Sequence, residues 1–403
     1  MKNGRKWKPN LSEGAMDQLA ALLSNAVTQR HAPFLVGMLG NSKGVFWTGS
    51  AGARVAGIEL NERTVFRIVS MTKGVGATAA AILVERRQLD WETPVEAILP
   101  AFGKLQVLDY SKDGQFRLRP PKAKATMRQL ATHTSGLVYG FWDRDIAHFL
   151  EEAGLPPTVS GLRASLQCPL AFDPGERWQY GSGLDWVGLV VEAIDGRRID
   201  RFCRDEIFDP LQMNDTRFEL EEDMTDRLVP TFGRSVDGGF SAAPIDVGPP
   251  AQPEFYGMGH ALYSTASDYM RFLRMWMNQG QLDGVRVLEQ HSVEHLLSNQ
   301  IGDLRLRPLP TALPLATGDL VVEPGFAVSH SLGFARMEES IPGRRSAGSQ
   351  FWAGVLNTHF WMDTEKDLVG ILMTQLLPFL DPHFMRLLFD FERAAYVSMG
   401  PRQ

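Results

Sequence analysis

Several things are scarce in this 403-residue chain, and each scarcity removes a class of protein. There are two cysteines, Cys168 and Cys203, enough for one bridge at most, so no disulfide framework organises the fold. The opening residues 1–10 are basic, but no apolar segment follows them as it would in an export signal. The expectation is therefore a cytoplasmic protein with two free thiols. No apolar run reaches 18 residues, so no membrane span is expected. Positive charge is not in excess: 41 Lys and Arg against 47 Asp and Glu leave a net charge of −6, which gives no electrostatic footprint for nucleic acid. No internal repeat or low-complexity tract stands out.

What remains is ordinary globular composition, 44% hydrophobic and 22% charged, with ample material for a large core. The chain is organised around residues 68–85. β-Branched residues up to Val69 read as a strand, and the Ala, Gly and Leu positions after Ser70 read as a helix apolar on nearly every side. Ser70 and Lys73 interrupt that apolar run one turn apart, on one face. A lysine facing a packed interior is costly to keep charged, whereas a base beside a serine hydroxyl makes it a nucleophile. The competing reading is an N-cap serine and a lysine snorkelling out of a core helix.

Other stretches carry weaker signals. An amphipathic helix is expected over 11–29, and a β-hairpin over 33–39 and 45–51. The hairpin's turn, Gly40 to Gly44, spells G-x-S-x-G around Ser42 but lacks the following helix that a nucleophile elbow needs. His133, in a turn rich in hydroxyls, reads as structural rather than as a general base. His291 to His295 matches H-x-x-E-H, yet its neighbours fit an amphipathic helix with the histidines on the wet face, and no metal site is expected. A Pro-rich loop spans 308–328. Strands are expected over 331–337, 352–362 and 368–375, then a helix over 382–397. The terminal strands are expected to share one antiparallel sheet, with a cleft between it and a helical middle.

Three stretches, Ser70-x-x-Lys73, Tyr180-Gly181-Ser182 and Trp352-Ala353-Gly354, resemble in this order the active-site motifs of class C β-lactamases and penicillin-binding proteins. The likeness is nearest to the family VIII carboxylesterases and covers nearly the whole chain. The resemblance implies an α+β, β-lactamase/transpeptidase-like fold: an antiparallel sheet flanked by helices, with a mostly helical second lobe. The sheet domain would comprise 1–88 and 325–403, with 172–215 packing on it; the helical lobe would comprise 89–171 and 216–324.

By the same resemblance Ser70 is the acyl-forming nucleophile, and Lys73 and Tyr180 form the acid/base pair, with the order of proton transfer left open. A Lys73 ammonium near Tyr180 would also stabilise its phenolate. The oxyanion hole would be the N–H groups of Ser70 and Val355, and Tyr139, Ser182, Asp185, Trp352 and Gly354 would bind substrate. No metal or cofactor is called for. β-Lactamases usually begin the third motif with a cation, which Trp352 does not supply. The expected substrate is thus an uncharged, short-to-medium acyl ester hydrolysed through an acyl-Ser70 intermediate. Alternatives are acyl transfer to an alcohol (residues 173–191 also resemble the acyltransferases of statin-type polyketide biosynthesis), β-lactam or D-amino-acid amide hydrolysis, and a non-catalytic ligand-binding relative.

Overall fold

A computed structural model describes residues 13–52, 55–110, 115–249 and 253–399. Helix α1 (Glu13–Thr28) buries Leu19, Leu23 and Ala26 along one face. The hairpin of β1 (Leu35–Gly40) and β2 (Val45–Ala51) follows. Its turn is pinned by Ser42, whose N–H and hydroxyl donate to Asp367 at 2.9 and 3.0 Å. The G-x-S-x-G pattern is therefore a hairpin turn, as its strand context implied.

A short strand, Val65–Arg67, runs into a 3-10 turn, Val69–Met71, and then into α2 (Thr72–Glu85), buried from Thr72 through Leu83. The middle of the chain supplies α3 (Met127–Ala131), opened by a capping box between Thr126 and Gln129. It also supplies α4 (Gly183–Asp195) and α5 (Ala266–Met277). Strands β3 (Val328–His330), β4 (Ala335–Met337), β5 (Gln350–Gly354), β6 (Thr358–Asp363) and β7 (Leu368–Met373) precede the last helix, α6 (Pro382–Ser398). Asp381 caps that helix by accepting the His383 and Phe384 N–H groups.

The seven strands form one antiparallel sheet in the order β3-β4-β5-β6-β7-β1-β2. The N-terminal hairpin thus joins the C-terminal strands by pairing β1 with β7, as the sequence led us to expect. Both faces of the sheet are covered. Phe360 of β6 meets Tyr269 of α5 on one face, while its neighbour Trp361 meets Phe391 of α6 on the other, the period-two alternation of a strand. Helix α2 lies between sheet and helical layer because it is trimmed where they touch it. A Cβ at Gly74 would stand 2.7 Å from the Phe334 ring, and one at Gly76 would stand 2.9 Å from Met258. Among the described residues no helix is long and apolar enough to cross a membrane.

Two strands expected from apolar runs are broken. Residues 352–362 form a hairpin rather than one strand: the chain turns at 355–357, with Asn357 in the left-handed region at φ 60°. Residues 331–337 likewise begin as a turn, with Gly333 at φ 98°, and only Ala335–Met337 are extended. Apolarity alone could not locate these turns, because both lie in the buried interior. The first break matters most, since it ends β5 directly beside the turn that carries Ser70.

That contact depends on a missing side chain. A Cβ at Gly354 would lie 2.4 Å from both the Ile68 carbonyl oxygen and Thr358 Oγ1. Gly354→Ala is expected to push β5 off the Val69–Met71 turn. It should cost about 1–3 kcal/mol in urea unfolding and remove most activity, whereas an unchanged midpoint would show that the turn has room to yield.

Candidate active site

Val69 carries φ 43°, a left-handed conformation that a β-branched residue rarely adopts. This kink sits immediately before Ser70 and turns the strand end into the head of α2, where Ser70 stands at the rim of a cavity. Lys73, one turn on and 1% exposed, donates from Nζ to Ser70 Oγ at 3.1 Å, Tyr139 OH at 3.1 Å and the Gly259 carbonyl at 2.7 Å. Burial pushes the ammonium down to about 7, against the pull of the Asp185 carboxylate, which raises it. A neutral amine needs only two acceptors. It can keep Tyr139 and Gly259 as partners and turn its lone pair to the Ser70 hydroxyl, which is the arrangement a general base requires.

Tyr180 reaches the same point from the loop before α4. That loop runs against the backbone of 137–138, so closely that a Cβ at Gly181 would fall 1.9 Å from the Leu137 carbonyl oxygen. The Tyr139 N–H donates to the Tyr180 carbonyl at 3.2 Å, tying the two tyrosine segments together. His133, itself at φ 58°, accepts the Gly181 N–H on Nδ1 at 3.4 Å and packs its ring edge-on against Tyr180 at 4.8 Å. Burial, with His330 and Lys73 nearby, holds His133 well below the usual histidine range. It is a neutral prop rather than a base.

The third stretch enters from β5. The Trp352 indole N–H donates to the Tyr180 hydroxyl at 3.1 Å, and the two rings meet edge-on at 4.9 Å. Burial drives the Tyr180 phenol upward, opposed by the donors Ser70 and Trp352. Lys73 Nζ sits 4.8 Å over the Tyr180 ring, and its hydrogen bond goes to the Tyr139 hydroxyl instead. The expected lysine-stabilised Tyr180 phenolate is therefore not the arrangement found. Burial favours the protonated phenol at Tyr180, whose oxygen accepts the Trp352 indole N–H.

Ser70, Tyr180, Trp352 and Val355 open onto one cavity of about 920 Å³. Its walls are apolar: Phe141 and Trp142 on one side, Leu320 to Val322 of the Pro-rich loop on another, and Leu388 and Phe389 of α6 at the back. The loop is anchored, with the Trp142 indole donating to Gly318 at 3.1 Å and the Gly318 N–H to Phe379 at 2.7 Å. The two charged residues in the lining, Glu323 and Arg345, pair at 2.9 Å, and Arg345 also binds Glu392.

Of the residues expected to bind substrate, Tyr139 and Trp352 line this cavity. Ser182, Asp185 and Gly354 do not. Ser182 and Asp185 line a separate small void with Leu137, Cys168 and Trp186. Gly354 serves the close approach of β5 to Ile68. Tyr139 also does more than expected, since it is a hydrogen-bond partner of Lys73. The Gly259 carbonyl was missed altogether; backbone acceptors leave no mark in side-chain chemistry, although the run Gly257-Met258-Gly259 hinted at a close approach. His291 and His295 lie exposed on the helix Gln290–Leu296, whose Val293 and Leu296 are buried. Among the described residues no group of three or more His, Cys, Asp or Glu is placed to hold a metal.

Comparison with known proteins places this geometry. The Beta-lactamase family model matches residues 19–395. An uncharacterised protein of Mycobacterium tuberculosis is 31% identical over 333 residues, 80% of each chain. The lovastatin esterase of Penicillium rubens is 29% identical over 318 residues, 76% of this chain and 78% of its own. The unliganded simvastatin synthase of Aspergillus terreus superposes with a TM-score of 0.82 at 25% identity, covering 97% of this chain and all of the other.

Trp352→Phe removes the indole donor while keeping a ring in the wall. With one hydrogen bond worth about 1 kcal/mol, ester kcat/KM should fall roughly fivefold with an unchanged circular dichroism spectrum. A variant as active as the parent would show that the indole N–H does not serve Tyr180.

Proposed function

This chain belongs to the β-lactamase family of serine hydrolases and acyltransferases, and from that premise we propose that it is a carboxylesterase of the family VIII type. The observation that carries the reading is the hydrogen bond between Lys73 and Ser70 in a dry, apolar site whose charged wall residues neutralise each other. Neutral Lys73 takes the Ser70 proton as Oγ attacks the acyl carbonyl. The oxyanion forms beside the N–H groups of Ser70 and Val355, one at the start of a helical turn and one where β5 ends. Collapse expels the alkoxide, protonated by the Tyr180 hydroxyl, which Trp352 orients. The Lys73 ammonium then returns its proton to Tyr180 by way of the Tyr139 hydroxyl, since acylated Ser70 has no proton to relay, and water cleaves the acyl-Ser70 ester by the reverse sequence.

The cavity argues for an uncharged acyl group. A β-lactam carboxylate needs a free cation, and the arginine in the lining is already held by Glu323 and Glu392. A second reading, acyl transfer to an alcohol, draws on the likeness to simvastatin synthase. The two readings share the acyl-enzyme and differ only in what attacks it.

Hydrolysis of p-nitrophenyl acetate, butyrate and octanoate, with nitrocefin alongside, tests the reading. Ester turnover should fall at least ~10³-fold in Ser70→Ala, with nitrocefin hydrolysis negligible in both proteins. Activity surviving in Ser70→Ala would sink the site; turnover rising on addition of an alcohol would favour transfer.

A further inference from the structure

Asp185 is a carboxylate 1% exposed that takes no part in the reaction described above and lies outside the substrate cavity. It occupies the first turn of α4, where the helix dipole favours an anion. Its Oδ1 accepts the Gly259 N–H at 2.7 Å, and the Gly259 carbonyl accepts Lys73 Nζ–H at 2.7 Å. Two glycines make room for this link. A Cβ at Gly259 would stand 2.8 Å from both Asp185 Oδ1 and Tyr139 OH, and one at Gly257 would stand 2.8 Å from Asp185 Oδ1.

We propose that Asp185 is a positioning residue that holds the Gly259 backbone against Lys73 and so keeps a carboxylate one hydrogen-bonded peptide away from the amine. The proposal rests on Lys73 being the base in the reading above. The groups that face Lys73 from other elements are Tyr139, Tyr180, His133, His260 and His330. Burial raises both phenols, and burial with the Lys73 charge lowers His260 to about 3 and His133 well below its ordinary value. His330 is lowered to about 4, by burial first. All five are therefore neutral around pH 7. Asp185, raised by burial to about 6 and pulled down by Lys73, is anionic there. Its Oδ1 also lies 3.8 Å from His260 Nδ1, a neutral neighbour that adds no charge. The carboxylate thus favours the ammonium, and removing it leaves burial unopposed.

The test is the pH profile of kcat/KM for p-nitrophenyl butyrate, with active sites counted by a fluorophosphonate. The wild type should gain activity as pH rises through about 7, where Lys73 loses its proton. In Asp185→Asn the acid limb should move at least about one pH unit lower, with plateau kcat down about tenfold and KM within about threefold. Asp185→Glu, which keeps the charge, should restore the limb towards neutrality. Gly259→Ala, which forces the carboxylate away from Lys73, should displace the limb in the same direction as Asp185→Asn and covers the case in which that variant does not fold. A merely structural role would lower the count of active sites and leave the limb in place, and that result overturns the proposal. A wild type with no limb near neutrality would instead overturn Lys73 as base, and the proposal with it.

Discussion

A lysine amine kept dry beside a serine hydroxyl is the constraint on which the rest of this structure turns. Stripped of water, an ammonium is costly unless every N–H has a partner, and Lys73 has three, from three parts of the chain: Ser70 from the turn that precedes its own helix, Tyr139 from the loop after α3, and the Gly259 carbonyl from the segment before α5. The same burial that makes the site expensive pushes the ammonium down to about 7. Helix α2 can be apolar on all sides because the sheet covers one flank and α4 with Met258 the other.

Bringing three distant segments to one point requires backbones to approach more closely than side chains allow. Gly181, Gly259 and Gly354 each stand where a Cβ would overlap a carbonyl, a carboxylate or a hydroxyl. Strain is also admitted at the left-handed Val69 that leads into Ser70. The cavity these approaches enclose is apolar, and its single buried charge cluster is self-neutralising. A site of this kind selects by shape and by exclusion of water rather than by charge.

Much of this was legible in the sequence. Ser70 and Lys73 announced themselves because two polar residues one turn apart on a buried face need a reason. The shared sheet followed from apolar hairpins at both ends of the chain, and Ser42 was expected in a hairpin turn, where it lies, because a strand and not a helix follows it. Periodicity could not show that 352–362 breaks at Asn357, since apolar residues run on through the turn at Val355 and Leu356 and the arms on either side are largely buried. Nor could spacing tell which side chains of the Tyr180 loop and the start of α4 would reach the cavity, so Ser182 and Asp185 were expected to bind substrate and line a separate void instead. The exchange of Tyr180 for Tyr139 as the hydrogen-bond partner of Lys73 is a matter of ångströms within one cluster, below what a motif encodes.

The account stands or falls on where acyl groups attach. Brief reaction with p-nitrophenyl butyrate, acid quenching and peptide mapping by mass spectrometry would locate the butyryl adduct. The account predicts a single adduct on Ser70, formed in the wild type and lost in Lys73→Met while Tyr180→Phe still folds. An adduct on Ser42 or another serine, or undiminished labelling of Ser70 without Lys73, would contradict it.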